Sequence, residues 1–191
     1  MKLSKFIVAA FISVFSLQVA SANEYEAPLT DLANSQVKAW LNDAVVVDAI
    51  KAQNAKNAGL SQGDIDALDK QWRAETGASS QPMIEETLAN ALSAYLAGKK
   101  DASQGLFTEI FVMDNKGLNV GQSDVTSDYW QGDEGKWKNT FSKGAGAIDI
   151  GDVEQDESTQ TFQSQLSIAI DDGGTVIGAI TIGVNVEMLG Q

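Results

Sequence analysis

Residues Leu106–Trp137 read LFTEIFVMDNKGLNVGQSDVTSDYWQGDEGKW, and the change of period inside them sets the architecture of the chain. Leu106, Phe107, Ile110, Phe111, Val112 and Met113 make a strand that is apolar on much of both faces, as a strand with cover on both sides requires. Asn115-Lys116-Gly117 is turn chemistry, and Leu118 to Gly121 is a short return strand. From Ser123 to Lys143 the period is lost.

Downstream, Ala147 to Ile150 is a third strand candidate and Gly151 to Thr159 an acidic loop or hairpin bend. Phe162 to Ile170 alternates. Asp171-Asp172-Gly173-Gly174 is a hairpin turn, and Val176 to Val186 forms the last strand. Gly178 and Gly183 inside it point to close backbone approach or local bending.

Upstream, the apolar spacing is helical. Leu32, Val37, Trp40, Leu41, Ala44, Val45 and Ile50 predict one long helix over about 30–56, capped by Thr30. Ser61 and Asp64 form a capping-box start for a second helix to about Thr76. Pro82 opens a third, with Ile84, Leu88, Leu92, Tyr95 and Leu96 on its apolar face and Gly98 closing it. The order predicts an α+β domain: a long N-terminal helix and further helices packed on a five-stranded, mainly antiparallel sheet. Residues 23–104 are its helical part and 105–191 its sheet part.

Met1–Ala22 reads as a signal peptide. Lys2 and Lys5 precede an apolar run from Phe6 to Val19, and Ala20-Ser21-Ala22 is a small-residue cleavage site. The run is shorter than the roughly 20 apolar residues of a membrane span. Cleavage after Ala22 and a periplasmic location are expected.

The chain has no histidine and no cysteine. This removes Ser-His-Asp and Cys-His nucleophiles, His- or Cys-ligated zinc, and haem ligation of those types. Carboxylate-only catalysis remains, but no spacing singles out an acid/base pair, so the expectation is a protein that is not an enzyme and needs no cofactor. There are 26 acidic residues, and 11 basic ones once Lys2 and Lys5 are removed. That balance disfavours nucleic acid as a partner.

Candidate chemistry concentrates in Ser123–Trp137. Tyr129, Trp130 and Trp137 supply rigid apolar walls, with Ser123, Asp128 and Asp133 as polar contacts. Phe111 and Met113 are candidates for the floor. The other reading of this segment is a surface loop pinned by its own aromatics. Asp149, Asp152 and Asp156 form a weak alternative cation site without the spacing of a calcium loop.

The segment LFTEIFVMDNKGLNVGQSDVTSDYWQGDEGKW resembles the hallmark of single Cache domains, extracytoplasmic PAS-like sensors. Asp114, Gly117, Thr126–Glu134 and Trp137 carry the resemblance, and FQSQLSIAIDDGGTVIGAITIGVNVE resembles the family's final hairpin. It implies a PAS-like sheet behind a long first helix, with a small-molecule pocket on one side of the sheet. It also implies roles in signal transduction such as chemotaxis. Because the sequence ends at Gln191 after the last strand, a stand-alone sensor is expected, signalling through a membrane-embedded chemoreceptor, kinase or transporter. A homodimer through the first helix is a further expectation. Arg73, the only arginine, lies outside the loop segment, which favours a cationic or neutral polar metabolite over a carboxylate held by a bidentate Arg. The alternatives are a ligand-free interaction module and a divalent-cation binder.

Overall fold

A computed structural model describes residues 23–155 and 160–189. The helices come first: α1 (Glu26–Ser35), α2 (Ala44–Lys56), α3 (Gln62–Glu75), α4 (Pro82–Leu88) and α5 (Ala91–Ala102). The strands are β1 (Phe107–Met113), β2 (Asn119–Gln122), β3 (Ile148–Ile150), β4 (Glu154–Gln155), β5 (Phe162–Asp172) and β6 (Thr175–Asn185), with the one-turn helix α6 (Gly135–Lys138) between β2 and β3. The sheet runs β2-β1-β6-β5-β3, every pair antiparallel, and the two-residue β4 also pairs with β5. This is the α+β architecture expected from the change of period.

The expected N-terminal helix is present in two pieces. Pro28 falls in the first turn of α1, where its missing N–H costs nothing. The helix therefore starts before Thr30, whose hydroxyl bonds the carbonyl of Glu26 rather than capping. Between the pieces, Val37–Ala39 is a single 3-10 turn and Asp43 is extended. The Tyr95 hydroxyl donates to the Asp43 carboxylate and holds the break. The break lets α1 lie over β3 and β5 while α2 lies over β6 and β2. Trp40 and Leu41 fill the space between, Trp40 edge-on to Phe107 at 5.6 Å.

The third predicted helix is also divided. Asn90 is extended, and its side chain accepts from Ser93 N at 2.8 Å, capping α5. Gly98 sits inside α5, which continues to Ala102. The capping box at Ser61 and Asp64 forms as the sequence indicates.

Alternation gives the sheet two faces. Ile110, Val112, Leu166, Ile168, Ile170, Ile180, Ile182 and Val184 point to the helices and form one core with Leu29, Ile50, Leu92 and Leu96. The opposite face carries Phe111, Met113 and Ala179 beside the buried Ser167 and Thr181, whose hydroxyls bond at 2.9 Å. The turn joining β5 and β6 has Gly173 and Gly174 both at positive φ, which the right-handed hairpin twist favours. Close approach explains the interior glycines. A Cβ on Gly178 would stand 2.3 Å from the Met113 carbonyl oxygen, and one on Gly183 would stand 2.2 Å from Thr108 Oγ1.

Candidate ligand site

The loop 123–143 divides between the two sides of the sheet and takes the expected site residues with it. Its first half runs along β2. Asn119 N donates to the Tyr129 carbonyl at 3.0 Å, and Gln131 N donates to that of Gly117 at 2.7 Å. Helix α3 holds this half from the other side. Asp69 Oδ1 accepts from Tyr129 N at 2.9 Å and Trp130 N at 3.0 Å. Arg73, on the same helix, pairs with Asp69 at 2.7 Å and Asp128 at 3.0 Å. The arginine thus reaches the loop after all, as a clamp on Asp128. Tyr129 stacks on the enclosed Trp72, centroids 5.3 Å apart, in a second core with Ile65, Ile84 and Leu118.

The second half crosses to the free face. Trp137 packs against Phe111, Met113 and Ala179, and stacks on Phe141 at 4.7 Å. Its Nε1 donates to the Asp114 carbonyl at 3.2 Å. Lys136 lies over the Phe111 ring at 5.3 Å, with Gln131 Oε1 at 3.3 Å and Glu134 at 3.0 Å.

Of the expected site residues, the structure therefore brings Phe111, Met113 and Trp137 together. It places Tyr129 and Trp130 at the helix-side core, where Trp130 Nε1 donates to the Lys116 carbonyl at 2.8 Å. Ser123 is tied to β1, accepting from Ile110 N at 2.8 Å. Asp128 is held by Arg73, Ser127 and Gln131. Asp133 is exposed and precedes α6, because that helix begins only at Gly135. Asp149 accepts from Asn139 Nδ2 at 3.0 Å. Asp152 lines a groove with Glu26, and Asp156 lies outside the described residues. Among the described residues no three acidic side chains converge as metal ligands would.

Asn119 and Gln122 join the candidate site only through the sheet register. The β1–β2 register pairs Gln122 with Phe111 and Asn119 with Met113, so both amides share the free face. Both are enclosed. Asn119 Nδ2 donates to Thr126 Oγ1 at 2.8 Å, Gln122 Oε1 at 3.1 Å and the Asp128 carbonyl at 3.2 Å. The Asp128 carbonyl can only accept, which fixes the Asn119 amide, and that in turn fixes Gln122. The two remaining atoms, Asn119 Oδ1 and Gln122 Nε2, have no partner among the described residues. Buried amide atoms are nearly always bonded, which singles this pair out on the sheet. The signal was present in Leu118–Gln122: polar residues at positions 119 and 122 of an otherwise apolar strand.

Two cavities of about 550 and 530 Å³ open on the helix side and share Gln53, Lys56, Asn90 and Val120. Among the described residues no helix is long and apolar enough to cross a membrane.

The chain matches no protein-family model and no curated protein sequence. In structure it is similar to the sensory domain of the Campylobacter jejuni chemoreceptor Tlp3 (CcmL), at a TM-score of 0.42 and 14% identity, covering 85% of this chain and 66% of that one. The same domain with isoleucine bound gives 0.40 and 15%, covering 86% and 65%. The sensor domain of the V. cholerae histidine kinase DctB gives 0.37 and 13%, covering 85% and 57%. The chain spans less than two thirds of the length of each of these solved chains.

Proposed function

We propose that this chain is an exported, non-enzymatic sensor that accommodates a small polar metabolite between the free face of the sheet and the second half of the loop. The bound state is passed to a membrane-embedded signalling or transport partner. The observation that carries the reading is the unpartnered pair Asn119 Oδ1 and Gln122 Nε2 beside Phe111, Met113 and Trp137. One accepts and the other donates, so the complementary group is itself both donor and acceptor, such as an amide or a hydroxyl. Lys136 is already matched by Glu134, which favours a neutral polar ligand over a free anion. Because both amides are enclosed, entry requires the loop around Trp137 to lift, and ligand would shift the population toward one closed arrangement. The sequence resemblance to Cache sensors supports the same reading.

The test is a thermal-shift screen of the purified protein against neutral amides, polyols, amino acids, amines and purines. A ligand at 100 times its dissociation constant adds about 2.7 kcal/mol of stability. Gln122→Met removes the unpartnered donor and keeps the volume. The response to a hit should disappear in Gln122→Met and in Trp137→Phe. A hit that stabilises both variants as much as the parent would refute the placement. No hit across all classes would favour a ligand-free interaction module.

A further inference from the structure

The 530 Å³ cavity on the helix side lies between the last turn of α2, helices α3 and α4, and the edge strand β2. Its size is within the few hundred to a thousand Å³ typical of small-molecule sites. Its lining is amphipathic. Leu60, Leu68, Met83 and Val120 give apolar walls, while Gln53, Thr87 and Tyr129 give polar contacts. The Tyr129 ring is fixed by its stack on Trp72 and lines the cavity together with Gln53. This residue was expected to line a ligand pocket, and it does line a cavity, but on the opposite side of the sheet from Trp137.

Charge decides what fits. Glu86 on α4 and Lys56 on α2 face the cavity, and the ion pairs of the described residues use neither. Asp114 stands behind Gln53 and Asn57, which both donate to its carboxylate. Burial pushes the Tyr129 phenol up, and the negative charges of Asp114 and Glu86 push it further. Glu86 and Lys56 are both exposed, so the buried charge beside the cavity is the Asp114 carboxylate behind Gln53 and Asn57.

We infer that this cavity is a second binding site, for a small organic amine: its ammonium turns toward Glu86 and Tyr129, and its hydrocarbon lies on Leu60, Leu68 and Met83. The site is connected to the free face through one residue. Gln53 and Asn57 line the cavity and hold the Asp114 carboxylate, while the Asp114 carbonyl holds Trp137. Occupancy on the helix side is felt at Trp137, a coupling that rests on the proposed free-face site only for its functional meaning.

Phenethylamine titrated into the purified protein, with the four tryptophan indole N–H resonances followed by NMR, tests both statements. Trp137→Phe assigns its own signal, and Trp72→Phe assigns the one nearest Tyr129. The expected result is a saturable shift of Trp72, with Trp137 moving at the same midpoint. In Glu86→Gln binding should weaken about three- to fivefold, the worth of a partly exposed ion pair. Gln122→Met should leave it intact, which separates this site from the one on the free face. An absent or non-saturating shift, equal affinity in Glu86→Gln, or equal binding of phenylacetate would overturn the site. A Trp72 shift without a Trp137 shift would overturn the coupling.

Discussion

Asn57 Nδ2 donates to Asp114 Oδ2 at 2.9 Å, joining the end of α2 to the β1–β2 turn across 57 residues of sequence. The Asp114 carboxylate is fully enclosed and also accepts from Gln53 Nε2 at 3.1 Å, Lys116 N at 2.8 Å and Leu118 N at 3.0 Å. Every lone-pair direction of a buried charge is thus used, which is the condition for tolerating it. Asp114→Asn should keep the fold but set an amide N–H₂ against Asn57 or the turn N–H groups. A loss of about 1–3 kcal/mol follows from a buried donor left unmatched. Urea unfolding checks this: the midpoint should fall with the slope unchanged.

Trp137→Phe keeps the stack on Phe141 and removes the donor to the Asp114 carbonyl, which retains Gly117 N at 3.1 Å. The expected cost is about 0.5–1.5 kcal/mol, the net worth of one hydrogen bond. Thermal unfolding measures that cost. A much larger loss would mean that Trp137 is core rather than a movable cover.

Two glycine substitutions should act in opposite directions. A Cβ at Gly178 would meet the Met113 carbonyl oxygen at 2.3 Å and Ile50 Cγ2 at 3.2 Å. Backbone cannot yield there without parting β1 from β6, so Gly178→Ala should cost at least the roughly 1–3 kcal/mol of an overpacked core. A Cβ at Gly98, inside α5, meets nothing within 4 Å. Gly98→Ala should stabilise by about 0.5–1 kcal/mol through helix propensity. Melting temperatures of the two variants against the parent decide both.

Glu75 caps a helix to which it does not belong. Its Oε2 accepts from Met83 N at 2.8 Å and Ile84 N at 3.1 Å at the start of α4, and its Oε1 accepts from Gln71 at 2.9 Å. Burial pushes the carboxyl up, but Gln71 and the Ile84 and Met83 N–H groups outweigh it and hold it below the ordinary carboxylate range. A depressed folded-state value means stability that is present above the unfolded value, about 4.3, and is lost as pH falls through the folded one. Glu75→Gln should therefore be less stable than the parent at pH 7, with the gap closing on acidification below about pH 4. Melting curves from pH 7 to pH 3 test the sign.

The sheet and its hairpins were legible because alternation is a local signal: each residue's face is set by its parity, and Asp171–Gly174 carries its own turn chemistry. The divisions of the helical runs were less so. Asn90 competes with the helix through its own side chain, a local signal weaker than the apolar period that runs across it. The break at Asp43 depends on Tyr95, 52 residues away. In the loop, residue type singled out one candidate segment, but its two halves follow different neighbours. Tyr129 went to Trp72, and Trp137 went to Met113 and Phe111.

By itself the sequence determined the α+β order, the hairpin turns and the exclusion of histidine and cysteine chemistry. These follow from composition and short-range periodicity, which need no partner. Only the tertiary structure decided which residues share a site. The β1–β2 register set Asn119 and Gln122 beside Met113 and Phe111, α3 brought Arg73 to Asp128, and α2 with α4 enclosed a cavity around Tyr129. Each of these joins positions separated along the chain, and such contacts are fixed by how the faces pack, which no local pattern encodes.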